Sequence, residues 1–155
     1  MSNSILSIGN MRQFFILSLR AALFIVSGCG KNDESVQDPE NTVEAWIPIG
    51  KSINFNQRAL VFSDMKALKA ANFGQLQFSQ GAKVKGLGSI KSIPASFTEI
   101  VAAVPGYGYV VHLNHDSFNG LKESWARLYV VDFTYDEGHA TTGVSIKYEL
   151  NWWPD

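Results

Sequence analysis

Cysteine is almost missing from this chain: 155 residues hold one, Cys29. A single thiol cannot form an internal disulfide framework, so the folded part has to be stabilised by burial alone. Charge is also sparse, at 17% of residues, and nearly balanced, with 13 basic against 14 acidic side chains. No clustered basic face results, which removes the electrostatic case for a nucleic-acid partner. The longest apolar stretch, residues 14–26, is interrupted by Arg20 and falls short of the about 20 residues that a membrane-spanning helix needs. Self-similar periods and heptads are absent, which excludes solenoids and coiled coils. No Gly-x-Ser-x-Gly elbow occurs, and Gly81, Gly86 and Gly88 precede no Gly-Lys-Ser/Thr ending, so neither a hydrolase elbow nor a phosphate loop is present. The composition implies no cofactor.

The apolar stretch has Arg12 before it and ends in Val26-Ser27-Gly28-Cys29. That order resembles a bacterial lipoprotein signal: a branched residue, two small residues that let a peptidase approach the backbone, then the cysteine whose sulfur is acylated. Lipidation at Cys29 is therefore expected, with residues 1–28 as signal peptide and with Met11 as an alternative start. Two or three acyl chains hold firmly where one would not, since each buried methylene contributes about 0.8 kcal/mol. The competing readings are a transmembrane helix, which the length and Arg20 oppose, and an ordinary secretory signal with an incidental cysteine.

Arg12 and Arg20 are the only basic residues before Cys29, so the remainder carries 11 basic and 14 acidic side chains. Gly30 follows the cysteine where Asp would favour the inner membrane. Lys31-Asn32-Asp33-Glu34 then resembles the acidic surface-export signal of Bacteroidota lipoproteins, or serves as a solvated tether. An outer-membrane address is expected, with surface display and the periplasmic face both open. Residues 29–42 have little to bury and read as a flexible tether. Residues 43–153 read as one domain.

Within that domain the dominant period is two. Val43, Ala45, Ile47 and Ile49 alternate with Glu44, Trp46 and Pro48. Residues 52–55 and 59–62 are short apolar runs. Residues 63–71 suit either a short helix capped by Ser63 or a loop and strand. Residues 75–78 and 82–87 read as two strands around Gln80-Gly81, and 96–104 as a strand despite a Ser96/Glu99 capping box. Residues 107–113 place Tyr109, Val111 and Leu113 on one face. Residues 125–133 are apolar on both faces, which predicts a central strand. Residues 142–150 alternate with Val144, Ile146 and Tyr148 inward. Polar residues 115–124 and 136–141 read as loops. Short strands with turn residues between them predict an all-β fold, a small antiparallel sandwich or roll.

Val84-Lys85-Gly86-Leu87-Gly88-Ser89-Ile90, Ile93-Pro94, Ala103 to Val110, Arg127 to Val131, Gly143-Val144 and Lys147-Tyr148 together resemble a small β domain. That domain recurs in lipoproteins and other exported proteins of Bacteroidota. The resemblance spans about residues 72–148. It implies the fold class and the exported address. The family is one of unknown function and supplies no catalytic residues.

Three groups of side chains could carry chemistry. His112, His115 and Asp116, with Glu137 or His139, are metal-ligand types, but three-residue spacing on a strand points His112 and His115 to opposite faces, and no spacing fixes the four ligands zinc prefers. No metal site is expected. Asp132, Asp136 and Glu137 could pair as hydrolytic carboxylates, although acidic residues are ordinary in turns. No catalytic residue is expected. Aromatic rings remain: Trp46, Tyr107, Tyr109, Trp152 and Trp153 could stack on sugars or anchor a partner, or could close the core. The sequence thus points to a lipid-anchored, non-enzymatic module that binds a glycan, peptide or protein. A structural subunit joined by sheet-edge pairing is the alternative, followed by a small hydrolase.

Overall fold

Alternating apolar residues with few helix formers leave the chain one way to bury its surface, which is to pair strands and stack the sheets. A computed structural model describes residues 36–155. Cys29, the residues before it and the acidic stretch after it lie outside the described residues.

Nine strands build two antiparallel sheets. In chain order they are β1 (Val43–Pro48), β2 (Lys51–Phe55), β3 (Arg58–Phe62), β4 (Ala67–Ala70), β5 (Leu76–Lys83), β6 (Ile100–Ala102), β7 (Tyr107–Leu113), β8 (Ser124–Tyr135) and β9 (Thr141–Leu150). The larger sheet runs β1-β9-β8-β7-β5 and the smaller β2-β3-β4-β6. The sheets do not close into a barrel. A bridge between Phe78 and Thr98 joins them at one corner, and the Ile49-Gly50 turn carries the chain across at another.

The core lies between the sheets. Phe55, Leu60, Phe62 and Leu68 from the smaller sheet meet Phe78, Val111, Leu128 and Ile146 from the larger. β8 is central, as its two apolar faces predict, because it pairs with both β7 and β9. Its inner face (Ala126, Leu128, Val130) is buried in this core, and its outer face meets a second apolar layer. That layer forms where the β5–β6 connection folds back over the larger sheet, bringing Leu87 and Ile90 onto Val110 and Trp152. Ile90 lies so close to Gly108 that a Cβ there would sit 2.8 Å from its side chain, which explains the absent side chain in mid-strand.

Arg127 ties this second layer down. Its Nη1 donates to the carbonyls of Leu87 (3.1 Å) and Ile90 (3.0 Å). Its Nε meets the Glu149 carboxylate at 2.5 Å, and the Trp152 ring covers the guanidinium at 5.5 Å.

Several expectations need correction. Residues 82–87 are not a second strand: β5 runs on to Lys83 through a bulge, and a short 3-10 turn follows at Leu87–Ser89. The strand expected over 96–104 shrinks to β6. Of the two readings open for residues 63–71, the loop and strand holds and the helix does not: Lys66 has a positive φ of 56°, the Ser63 Oγ accepts from the Ala67 amide, and β4 follows. The chain before Val43 is also not a free tether from Val36 onward. Asp38 accepts from the Leu87 amide and pairs with Lys147 at 2.8 Å, and Gln37 crosses Gly88 where a Cβ would meet its carbonyl at 2.7 Å. Asp38, then Glu44, raises the Lys147 pKa above its usual value.

Candidate functional site

Antiparallel order sends the β2–β3 hairpin, the β4–β5 turn, the β7–β8 loop and the C-terminal tail to the same end of the sandwich. Arg58, the first residue of β3, ties the hairpin to both ends of the β7–β8 loop. It is 3% exposed. Nη1 donates to the Asn56 carbonyl (3.0 Å), and Nη2 to those of Asn114 (2.6 Å) and Lys122 (2.9 Å). Nε is buried with no partner. Desolvation lowers the Arg58 pKa and nearby Asp116 opposes that, but a guanidinium stays charged in either case.

Asp116 organises the β7–β8 loop. Its carboxylate accepts from the Asn119 side chain (2.7 Å), from the amides of Asn119 and Phe118, and from Gln75 across in the β4–β5 turn. These bonds, the Asn119 side chain first, hold its pKa below the usual carboxylate range. A depressed folded value gives stability that is complete above the unfolded pKa of about 3.9 and is lost as pH falls through the folded value. Amide protection across 114–121 should therefore persist from neutral pH to below about 4. In Asp116→Asn that acid transition should be missing. Loss of protection in the wild type beginning well above the carboxylate range would contradict this assignment.

The hairpin tip, the 120–124 segment and the tail enclose an open cleft of about 410 Å³. Trp153, 62% exposed, stands on its wall. The wall also carries Asn56 (φ 49°), Gln57 (φ 64°), Asn151 (φ 54°) and Gly120 (φ 67°), all left-handed. A two-residue hairpin with both φ values positive is the type I′ geometry, which prefers glycine second; this chain places Gln57 there. Phe73 and Phe118, 89% and 96% exposed, stand on the β4–β5 and β7–β8 loops at the same end.

The aromatic residues named from sequence scatter. Trp46 is half exposed on edge strand β1, and its Nε1 donates to Thr134 Oγ1 at 3.0 Å. Trp46 and Trp153 therefore lie toward opposite ends of β8, roughly 30 Å apart at about 3.3 Å per residue. Tyr107 is half-buried against the core. Tyr109 and Trp152 are corrections: neither is a binding surface. Tyr109 is fully buried, with its hydroxyl donating to the Ala102 carbonyl (2.9 Å) and accepting from the Val104 amide (2.8 Å). Burial raises its pKa. Trp152 turns inward because Leu87, Ile90 and Arg127 offer it an apolar wall and a cation.

The histidine group is not assembled. His112 stacks on Trp125 (4.3 Å between ring centres) and meets Glu123 at 2.7 Å. His115 is exposed, and Asp116 is committed to its loop. Glu137 and His139 belong to the β8–β9 turn at the far end of the sandwich. Among the described residues no three His, Cys, Asp or Glu side chains gather as metal ligands. Asp132 accepts from the Phe133 amide at the irregular part of β8, and Asp136 from the Ala140 amide in the β8–β9 turn, both exposed. No helix among the described residues is long and apolar enough to cross a membrane.

Sequence reasoning missed Arg58, the hairpin pair Asn56-Gln57, Asn151 and the two exposed phenylalanines. The usable pattern was Asn-Phe-Gly at 72–74 and Phe-Asn-Gly at 118–120: a large aromatic between turn residues has little chance of reaching a core. Comparison with family models, curated proteins and solved structures gave no match.

Proposed function

We propose that this chain is a lipoprotein anchored in the outer membrane through acylated Cys29, with the β domain facing out as a non-enzymatic binding module whose ligand seats at the loop end. The observation that carries the binding reading is the cleft: a hairpin and the β7–β8 loop braced by one buried arginine, with an exposed Trp153 of the tail on the wall. Left-handed non-glycine residues concentrated there are a cost to folding, and such costs cluster at functional sites. The Val-Ser-Gly-Cys order supports the anchor, and the resemblance of residues 72–148 to exported Bacteroidota domains fits the address. Edge pairing into an assembly has less support. Outer strand β1 carries Glu44 and Pro48, and outer strand β2 exposes Lys51, Ser52 and Asn54, features that blunt an edge.

Two measurements test the proposal. Labelled palmitate should enter the wild-type chain and not Cys29→Ser; equal labelling of both would end the anchor reading. Capture of ligand by the displayed domain should fall at least tenfold in Trp153→Ala, a hot-spot loss of about 1.4 kcal/mol or more, with the melting temperature unchanged. Undiminished capture would remove the cleft from the reading.

A further inference from the structure

We propose that the loop-end cleft takes an acidic saccharide, with a sugar ring stacked on Trp153 and its carboxylate or sulfate drawn toward Arg58 and Lys122. This rests on the binding-module reading and names its ligand class.

The cleft volume, about 410 Å³, lies in the range of small-molecule sites. Its wall is unusual in kind. Asn56, Gln57 and Asn151 present planar amides, each able to donate and accept at once. A purely apolar ligand would leave these groups unpaired when it displaced their water. A polyhydroxylated ring satisfies them and still offers a flat C–H face to the indole of Trp153.

The charge of the wall leans positive, with Arg58 and Lys122 against Glu123. Arg58 is more than nine-tenths buried, yet its bonds go to three neutral carbonyls, and no ion pair to it occurs among the described residues. Lys122 adds an exposed cation to the wall. Glu123, the wall's carboxylate, is turned to His112 at 2.7 Å, and Asp116, whose charge acts on Arg58, is held in its own loop by Asn119, Phe118 and Gln75. A buried cation that no carboxylate bonds directly, offset in part by nearby Asp116, still projects field into the adjoining cleft, where low-dielectric walls focus it on an incoming anion.

Gln57 supplies an independent argument. Glycine is the cheaper residue at a left-handed hairpin position. Keeping Gln57 retains an amide on the cleft wall at the expense of stability, a trade expected at a site in use.

The test is calorimetric titration of the full chain in detergent with oligogalacturonate and a sulfated oligosaccharide, beside their methyl-esterified and desulfated counterparts. At least one acidic member should bind, at least tenfold tighter than its neutral counterpart, and more weakly as salt is raised. Trp153→Ala and Lys122→Gln, both exposed positions, should weaken that binding with the melting temperature unchanged. Gln57→Gly should raise the melting temperature and still weaken binding. Equal affinity for charged and neutral forms would overturn the anion assignment. Failure of every acidic member, while Trp153-dependent capture of another ligand persists, would overturn the saccharide and leave the binding-module reading standing. Loss of both would end both. A Gln57→Gly variant that binds as well as wild type would also count against the assignment.

Discussion

Arg127→Met should cost about 4 kcal/mol of stability, the penalty for breaking a buried ion pair from one side, and lower the melting temperature by roughly 12–20 °C for a domain of this size. The Leu87 and Ile90 carbonyls would lose their donor, the Glu149 carboxylate would stay largely buried without its cation, and Trp152 would lose the charge under its ring. The damage should be local first. The β5–β6 connection and the tail rest on the larger sheet through Leu87, Ile90, Val110 and Trp152, so their amide protection should fall before that of β8 and β9. Adding Glu149→Leu should restore part of the loss, because it removes the orphaned carboxylate. Thermal melts of the two single variants and the double variant measure this coupling. A single variant within about 1 kcal/mol of wild type, the typical cost of an unremarkable substitution, would show that the second layer holds without its cation.

Arg58→Met should be nearly as damaging, at about 3 kcal/mol, with a different footprint. Three carbonyls, one in the hairpin and two in the β7–β8 loop, would be left without their donor, each unsatisfied group costing about 1–3 kcal/mol if it stays dry. Part of that is offset because burying the Nε, which has no partner, is itself unfavourable. Hydrogen exchange should accelerate at the 56–57 hairpin and across 114–123, and the cleft should lose its ligand. Arg58→Lys should recover little, since one ammonium cannot reproduce a planar fork directed at three acceptors. Rescue by lysine to full stability would show that charge alone, and not the fork, braces this end. Both arginines are buried cations, but Arg127 bonds a carboxylate directly, whereas Arg58 only has Asp116 nearby. For that reason Arg127 reads as structural and Arg58 as a brace with an electrostatic role in the cleft.

The reading of strands from sequence followed the strength of their alternation. β7 and β9 had one clean apolar face each, and Tyr109, Val111, Leu113, Val144, Ile146 and Tyr148 are all buried in the core. β8 was apolar on both faces, and it is the middle strand of the larger sheet, with packed apolar side chains on both faces. The reading failed where alternation was interrupted. Gly81 lies within the bulged end of β5, so the pattern after it shifted and suggested a second strand. The Gly86–Gly88 stretch read as punctuation, although it is the pivot on which the connection folds over Arg127. The site was less legible still. Trp152 and Trp153 are neighbours in the chain, yet one is buried on Arg127 and the other stands on the cleft wall.

By itself the sequence determined the all-β class, the faces of the long strands, the central place of β8 and the absence of any disulfide. These follow from side-chain alternation and composition, which are properties of a few neighbouring residues. Only the tertiary structure decided which aromatic rings reach solvent, that Arg58 joins the hairpin to the β7–β8 loop, and that left-handed Asn56, Gln57 and Asn151 share one wall. Those outcomes depend on strand order and on which loops meet at one end, and residues 56, 114, 122 and 151 carry no local pattern that announces their meeting.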